Sequence, residues 1–418
     1  MTRTTKLFAA AALGIVLGAS ACNNDQLFRP ANFTPINPLF ERYVSMGNSI
    51  TAGFQSAGIN DSTQNQSYAV LLANAMGSPF FPPLMSRPGC PPPFTNVFTQ
   101  ARVSGGTAST CALRKPRAVP PPFISNVAVP GAEVLDIYNN LDTASNANAL
   151  TTFFLGGLTQ AQMMARAQPT FVSVWIGNND VLGAATSATN GGDTTKITPI
   201  ASFQTRATAA FDAIAAVAPR GAVVIGVANV TLIPFFSRGS TYWAIKNGLV
   251  PGAAFPPTMT VDNNCAPGAV PGGRGDSTLV PFPYGALLLG TAQAGGPATL
   301  SCSDTVPRVV VPAELRRLVA TVLAYNAFDS TQAVTRGWAW VNPNPLLAAL
   351  ATDTAQVRAF PYFPPPGNPA DTIAARRPFG RAFSLDAVHP SAATHKVIAN
   401  ALATAINAKY GTRIPAIP

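Results

Sequence analysis

The sequence TFVSVWIG at residues 170–177 is an almost unbroken apolar run that ends in a glycine. Such a run is typical of a β-strand that is covered on both faces. A similar run, GAVVIGVANV at residues 221–230, follows a helical pattern at residues 203–217. Two such strands separated by a helix indicate a parallel sheet with helices packed on its faces.

The same alternation of strand and helix extends in both directions from these runs. Three more strands are predicted, at RYVSMG (42–47), FISNVAV (123–129) and GWAWV (337–341). Further helices are predicted at 68–76, 313–335 and 391–409. The apolar face of the last helix is predicted to include Val397, Ile398, Leu402 and Ile406. The sequence therefore predicts one α/β domain over residues 41–418, with three layers (α/β/α) and a five-stranded parallel sheet.

Two stretches, residues 77–122 and 231–310, interrupt this alternation. Both are rich in proline and glycine, and each contains two cysteines. Loops of this length within a compact domain are usually functional or disordered. If a disulfide closes each stretch, both become ordered insertions, and they could flank a substrate cleft.

The first 22 residues have the pattern of an export signal. A short basic segment precedes an apolar stretch from Leu7 to Gly18, which is too short for a bilayer that requires about 20 residues. The residues Ala19-Ser20-Ala21-Cys22 then resemble the lipobox of bacterial lipoproteins, which implies cleavage before Cys22 and lipidation of its thiol. The alternative is ordinary cleavage after Ala21, which would leave Cys22 as a free thiol.

Residues 23–40 contain three prolines and little periodicity, so we interpret them as a tether between the anchor and the domain. Asn23 follows the lipobox, where many lipoproteins retained in the inner membrane have aspartate. The resemblance therefore implies an exported protein that is anchored by lipid in the cell envelope, at the outer membrane.

The remaining cysteines are even in number, which predicts two disulfides in an exported chain. They are Cys90, Cys111, Cys265 and Cys302. Three pairings are possible, and the sequence-local one would close two short loops, each stabilising by about 3 kcal/mol.

Composition excludes several other functions. Hydrophobic residues make up 47% of the chain and charged residues 11%, which is not the composition of a disordered chain. The net charge is +10, but the basic residues are scattered and no aromatic–basic repeat appears, so nucleic-acid binding is not predicted. With only two histidines and no Cys-x-x-Cys pair, the chain has no predicted zinc site.

Two short segments at opposite ends of the chain contain residues suited to nucleophilic catalysis. Ser49 lies in GNSITAG, just after the first predicted strand, at the sheet edge where open α/β sheets bind ligands. Asp386 and His389 lie in SLDAVHPS, just before the last helix. A serine hydroxyl needs a base to take its proton, and a carboxylate must orient that base. The plainer interpretation is a turn at Ser49 and a helix cap at Asp386.

Histidine scarcity limits the choice of base. His395 is six residues from His389, so the two do not share a helical face and a two-histidine metal site is not predicted. We expect His395 on the surface of the last helix, which leaves His389 as the candidate base.

Four blocks together resemble the SGNH/GDSL hydrolase family, over residues 42–410 without the two insertions. GNSITAG resembles the first block, NVAVPGAEV (126–134) the second, IGNND (176–180) the third and SLDAVHPS the last. One departure is Asn48, where the family name has aspartate before the serine. That aspartate is not a triad member, and asparagine can still accept a hydrogen bond.

The resemblance implies a flavodoxin-like fold and assigns roles to five residues. Ser49 would be the nucleophile of a triad with Asp386 and His389, while Gly131 and Asn179 would stabilise an oxyanion together with the Ser49 amide. It implies a serine ester hydrolase without metal or organic cofactor, acting as a lipase, acylhydrolase or carboxylesterase. A carbohydrate O-acetylesterase and a non-catalytic envelope binding protein are the alternatives. The substrate could be an acyl lipid or an acylated glycan, and the sequence does not choose between them.

Overall fold

The computed structural model describes residues 34–361 and 377–418. The predicted signal peptide, Cys22 and the first part of the tether therefore lie outside the described residues. The strands are β1 (Tyr43–Gly47), β2 (Phe94–Asn96), β3 (Ala101–Arg102), β4 (Phe171–Trp175), β5 (Gly221–Ile225), β6 (Phe236–Arg238), β7 (Met259–Val261), β8 (Leu279–Pro281), β9 (Ala298–Leu300) and β10 (Ala339–Val341).

The helices of the first half are α1 (Ser49–Ala52), α2 (Asp61–Asn65), α3 (Tyr68–Met76), α4 (Ala149–Leu155), α5 (Gln160–Ala167), α6 (Asn179–Ala185) and α7 (Ile200–Ala215). Those of the second half are α8 (Gly239–Lys246), α9 (Phe282–Gln293), α10 (Pro312–Thr335), α11 (Asn344–Thr352) and α12 (Ala392–Tyr410). No helix in the described part of the chain is long and apolar enough to cross a bilayer.

The central sheet is parallel throughout, in the order β1-β4-β5-β10. Residues of the strands alternate between two faces. One face, with Tyr43 and Phe171, packs against α3 and α12, and the other, with Val172 and Val224, packs against α7 and α10. The predicted three-layer α/β/α fold is confirmed, because both faces of the sheet are buried by helices.

The prediction of five full strands is wrong. Residues 123–129 run parallel to β1 but form a single bridge, Ser45 to Asn126, with three backbone hydrogen bonds along β1. The Asn126 side chain competes with a regular ladder: its amide donates to the Thr51 carbonyl at 2.8 Å and its oxygen accepts from the Ala128 N–H at 3.2 Å. Counted as an irregular fifth member, this segment gives the flavodoxin-like order 2-1-3-4-5.

The two insertions are ordered in the structure, and each contains one disulfide. Cys90 pairs with Cys111 and Cys265 with Cys302, the sequence-local arrangement. The first insertion contains the small β2–β3 sheet. The second contains α8, α9 and the β6–β8 and β7–β9 pairs, which surround an apolar cluster of their own. The sequence analysis did not predict these elements, because the segment is rich in proline and glycine.

Candidate active site

Ser49 begins α1 directly after β1, and the backbone geometry at Gly47 sets its position. Gly47 has a φ of +147°, and a Cβ there would lie 2.3 Å from the Trp175 carbonyl oxygen. Only glycine therefore allows the chain to turn at this point. Asn48 then caps α1, because its side-chain oxygen accepts from the Ile50 N–H at 3.2 Å. The hydrogen-bond acceptor expected of Asn48 is present.

A buried glutamine that the sequence analysis missed fixes the same turn. The Gly47 N–H donates to Gln160 Oε1, and Gln160 Nε2 donates to the Gly47 carbonyl, both at 2.8 Å. Gln160 is 1% exposed and begins α5. It pairs with the peptide just before Asn48 and Ser49, so it is a positioning residue for the serine. No local sequence pattern connects two positions that lie 113 residues apart.

Asp386 and His389 share one tight turn between Phe383 and Pro390. Oδ1 of Asp386 accepts the backbone N–H groups of Val388 at 2.9 Å and His389 at 2.8 Å, which locks the turn. Oδ2 also accepts the Ala57 N–H at 2.6 Å. The carboxylate thus ties its own loop to the segment that follows α1.

The structure brings the three predicted residues together. The Oγ atom of Ser49 lies 2.8 Å from Nε2 of His389, and Nδ1 of His389 lies 2.9 Å from Oδ2 of Asp386. Burial alone would raise the pKa of Asp386, but the charge of His389 and hydrogen bonds from His389 and Ala57 outweigh it and lower the pKa to about 2. Asp386 is therefore ionised at neutral pH and can orient the imidazole.

The prediction that His395 lies on the surface of the last helix is wrong. His395 is fully buried between α12 and α3, where its Nδ1 accepts the Tyr68 N–H at 3.2 Å. Burial lowers its pKa to about 3, so it is neutral. The buried face of α12 also includes Ile398, Leu402 and Ile406, whereas Val397 is 42% exposed. The i, i+3, i+7 spacing from His395 to these residues indicated that His395 lies on the buried face of α12. The sequence analysis missed this because it placed Val397 on that face instead.

Asn179 begins α6, at the carboxyl end of β4, and lines the same pocket as Ser49 and His389. Its Nδ2 donates to the Ala132 carbonyl at 2.8 Å, which uses one of its two amide hydrogens. The other hydrogen is available to a ligand. Asn179 also lines the adjoining larger cleft, which includes Gly131.

Gly131 lies on an exposed turn with a φ of +85°. Asn148, a second residue that the sequence analysis missed, supports this turn by donating from Nδ2 to the Pro130 carbonyl at 2.9 Å. Among the described residues, neither the Gly131 N–H nor the Ser49 N–H donates a hydrogen bond. The structure thus places three available donors, including the Asn179 amide, around the pocket and the neighbouring cleft.

Asp180, next to Asn179, is a buried carboxyl group that joins α6 to the segment after Gly131. Its Oδ2 accepts the Val134 N–H at 3.0 Å, while its Oδ1 has no hydrogen-bond partner in the described residues. Burial and then the charge of Glu133 raise its pKa to about 7, against the opposing effect of the Val134 hydrogen bond. Burial and Asp180 also raise the pKa of Asp329 well above its ordinary value.

This raised pKa predicts that stability falls as the pH rises. The unfolded chain ionises Asp180 near its ordinary pKa of 3.8, whereas the folded chain resists ionisation until about 7. The contribution to stability is therefore complete below the unfolded pKa and is lost as the pH rises through the folded pKa. We expect the free energy of unfolding, measured by urea titration, to fall between about pH 4 and about pH 7, and to fall less in Asp180→Asn.

The exposed Asp262→Asn is the matched control and should follow the unaltered chain. An equal fall in Asp180→Asn and in the unaltered chain would contradict the assignment of this pH dependence to Asp180.

Within residues 34–361 and 377–418, no three His, Cys, Asp or Glu side chains come together in a way that could hold a metal ion. A serine, a histidine and an aspartate joined in this order at the carboxyl edge of a parallel sheet have the geometry of a serine-hydrolase triad.

No protein-family model matches the chain, and no curated protein does. Solved structures do show similarity over most of its length. An acetylxylan esterase from Geobacillus stearothermophilus is 11% identical, with 90% of this chain and 95% of that chain covered and a TM-score of 0.38. A GDSL-like lipase from Parabacteroides merdae is 12% identical, with coverages of 89% and 98% and a TM-score of 0.34. An alpha/beta hydrolase from the metagenome of Lake Arreo, Spain, is 12% identical, with coverages of 89% and 97% and a TM-score of 0.36.

Proposed function

We propose that the chain is a serine ester hydrolase in which Ser49, His389 and Asp386 act as a catalytic triad. The observation that carries the proposal is the pair of hydrogen bonds that link Oγ of Ser49 to the imidazole and the imidazole to a buried, ionised carboxylate. The four sequence blocks that resemble SGNH/GDSL hydrolases support the same assignment. The similar solved structures are only 11–12% identical to this chain, so we infer the activity from the triad residues and the sequence blocks.

In the first half of the reaction, Oγ of Ser49 attacks the ester carbonyl carbon as its proton passes to Nε2 of His389. Asp386 stabilises the resulting imidazolium through Nδ1. The tetrahedral intermediate collapses when the carbon–oxygen bond to the alcohol breaks and His389 returns the proton to the leaving oxygen. The products of this step are the free alcohol and an acyl group on Ser49.

In the second half, His389 takes a proton from water, whose oxygen attacks the acyl carbon. Collapse of the second intermediate restores the Ser49 hydroxyl and releases the acid. In both halves the negative charge on the carbonyl oxygen is stabilised by the N–H groups of Ser49 and Gly131 and by Nδ2 of Asn179. These donors are suited to that role because none of them is fully engaged by other groups in residues 34–361 and 377–418.

We also propose that the enzyme acts at the cell envelope, where lipidated Cys22 would attach it to the outer membrane. The support for this location is the N-terminal sequence alone. In this arrangement residues 23–40 connect the anchor to the catalytic domain of residues 41–418.

The assignment of Asn179 predicts a specific kinetic defect. Asn179→Ala removes one oxyanion donor and should lower kcat by about 10²–10³-fold, because this donor acts on charge that develops only in the transition state. The measurement is steady-state hydrolysis of p-nitrophenyl acetate. The exposed Asn190→Ala is the control and should keep its full rate. A loss of less than threefold in Asn179→Ala would exclude it as an oxyanion donor.

The proposed activity is tested by turnover of p-nitrophenyl acetate by the full chain, purified in detergent. We expect hydrolysis that saturates with substrate and continues when a metal chelator is present. Absence of turnover above the rate in buffer, in a sample that circular dichroism shows to be folded, would contradict the proposal.

A further inference from the structure

A tight turn soon after α1 contains two residues with a strained backbone. Gln55 and Gly58 exchange two backbone hydrogen bonds, of 2.9 Å from the Gln55 N–H and 3.1 Å from the Gly58 N–H. The two residues between them, Ser56 and Ala57, have φ values of +55° and +51°. Turns with positive φ at both central positions favour asparagine and glycine, because most other residues resist this conformation. Strain of this kind persists only where the surrounding structure enforces it, and it clusters at functional sites.

The loop that contains Asp386 holds one side of this turn. The Ala57 N–H donates to Asp386 Oδ2 at 2.6 Å, and the Ser56 N–H donates to Ser384 Oγ at 2.8 Å. In return, the Leu385 N–H donates to Ser56 Oγ at 3.2 Å, and Ser384 Oγ donates to Asp386 Oδ1 at 3.1 Å. The orientation of the Asp386 carboxylate therefore depends on the position of the turn.

The first insertion holds the other side of the turn. The Phe94 N–H donates at 2.7 Å to the Ser56 carbonyl, which belongs to the same peptide group as the Ala57 N–H. Nη1 of Arg102 donates to the Ala57 carbonyl at 2.9 Å and to the Pro92 carbonyl at 2.6 Å. The guanidinium carbon of Arg102 also lies 3.9 Å from the centre of the Phe94 ring. Arg102 thus joins the strained turn to the body of the insertion.

We propose that Arg102 is a positioning residue, through which the first insertion holds Asp386 in the orientation that His389 requires. Within the described part of the chain, Arg102 lines neither the pocket that contains Ser49 nor the larger cleft beside it, so it acts through the turn and not on the substrate. Without its hydrogen bond the turn can relax to negative φ, which moves the Ala57 N–H away from the carboxylate. This inference rests on the proposed function, because it needs a triad to position.

Arg102→Met tests the proposal, because methionine keeps the contact with the Phe94 ring and removes the donors. We expect kcat for p-nitrophenyl acetate to fall by about tenfold or more, since small misplacements of catalytic groups are costly. KM should change by less than about twofold, because substrate does not contact Arg102.

Arg117→Met is the matched control, from the same insertion. Nη2 of Arg117 donates to the Pro82 carbonyl at 3.1 Å, and its guanidinium lies over the Phe81 ring at 5.9 Å. Within the described residues, none of its hydrogen bonds reaches the strained turn. Its kcat should equal that of the unaltered chain.

The decisive variant combines Arg102→Met with Ala57→Gly. Glycine adopts a φ of +51° without strain, so it keeps the turn and its N–H in place when Arg102 is absent. We expect kcat of the double variant to return to within about threefold of that of Ala57→Gly alone. All rates are measured well below the thermal midpoint of each variant, so that a loss of stability by itself leaves kcat unchanged.

An unchanged kcat in Arg102→Met, or a loss that Ala57→Gly does not reverse, overturns this inference while hydrolysis that depends on Ser49 persists. If the unaltered chain shows no hydrolysis that Ser49→Ala abolishes, the proposed function itself is overturned.

Discussion

Ser49→Ala is expected to lower kcat/KM for p-nitrophenyl acetate by roughly 10⁴–10⁶-fold. The variant lacks the only atom that can form the acyl intermediate, while the backbone N–H at position 49 remains for the oxyanion. The fold should be retained, because the His389 ring is the one hydrogen-bond partner of the lost hydroxyl among the described residues, and alanine fits the first turn of α1. The measurement is initial-rate kinetics at matched enzyme concentration, with the thermal midpoint as a check of folding.

The exposed Ser109→Ala is the matched control, and its rate should equal that of the unaltered chain. Turnover by Ser49→Ala within about tenfold of the unaltered enzyme would contradict the role of Ser49, since loss of a nucleophile costs far more than that.

Asp386→Asn is expected to lower kcat by about 10⁴-fold. An amide in place of the carboxylate cannot stabilise the imidazolium, and it favours the tautomer of His389 that keeps a proton on Nε2, where Ser49 requires an acceptor. The one side-chain oxygen of asparagine, at the position of Oδ1, would still accept the backbone N–H groups of Val388 and His389, whereas the Ala57 N–H would lose its acceptor at the position of Oδ2. The loss should therefore appear in turnover more than in the structure of the loop. Asp262→Asn serves as the exposed control.

The same variant should change acid stability. The folded pKa of Asp386, about 2, is below its ordinary value of 3.8, so the ionised carboxylate stabilises the fold above the unfolded pKa. This contribution is lost as the pH falls through the folded pKa. The unaltered chain should therefore lose stability between about pH 4 and about pH 2, and Asp386→Asn should lose less in that range. Identical acid unfolding of the two, together with a kcat reduced by less than tenfold, would exclude the proposed role of Asp386.

Short motifs in the sequence were enough to select Ser49, Asp386 and His389 as the candidate site residues. Asp386 and His389 are three residues apart, so one turn brings the carboxylate to the ring without help from the rest of the fold. Ser49 follows the first buried strand, and the parallel sheet brings that strand end to the edge where the last loop also lies. The alternation of apolar runs and helical patterns was enough to predict the three layers.

What the sequence could not predict depends on contacts between distant segments. Gln160 holds the Gly47 peptide across 113 positions, and the Ala57 N–H reaches Asp386 across 329. Neither residue belongs to a recognisable local motif. The irregular course of residues 123–129 arises from the side-chain bonds of Asn126, which apolar periodicity does not report. The acceptor role of His395 toward the Tyr68 N–H of α3 also joins distant segments, although the helical spacing of His395 did indicate that it lies on the buried face of α12.

The most direct test of the account is the site at which a fluorophosphonate probe modifies the protein. The probe forms a covalent bond only with a serine whose hydroxyl is activated by a base. The account predicts a single adduct in the intact mass, located on Ser49 by peptide mapping and formed much more slowly in His389→Ala. An adduct on a different serine, or an unlabelled protein that still hydrolyses esters, would contradict it.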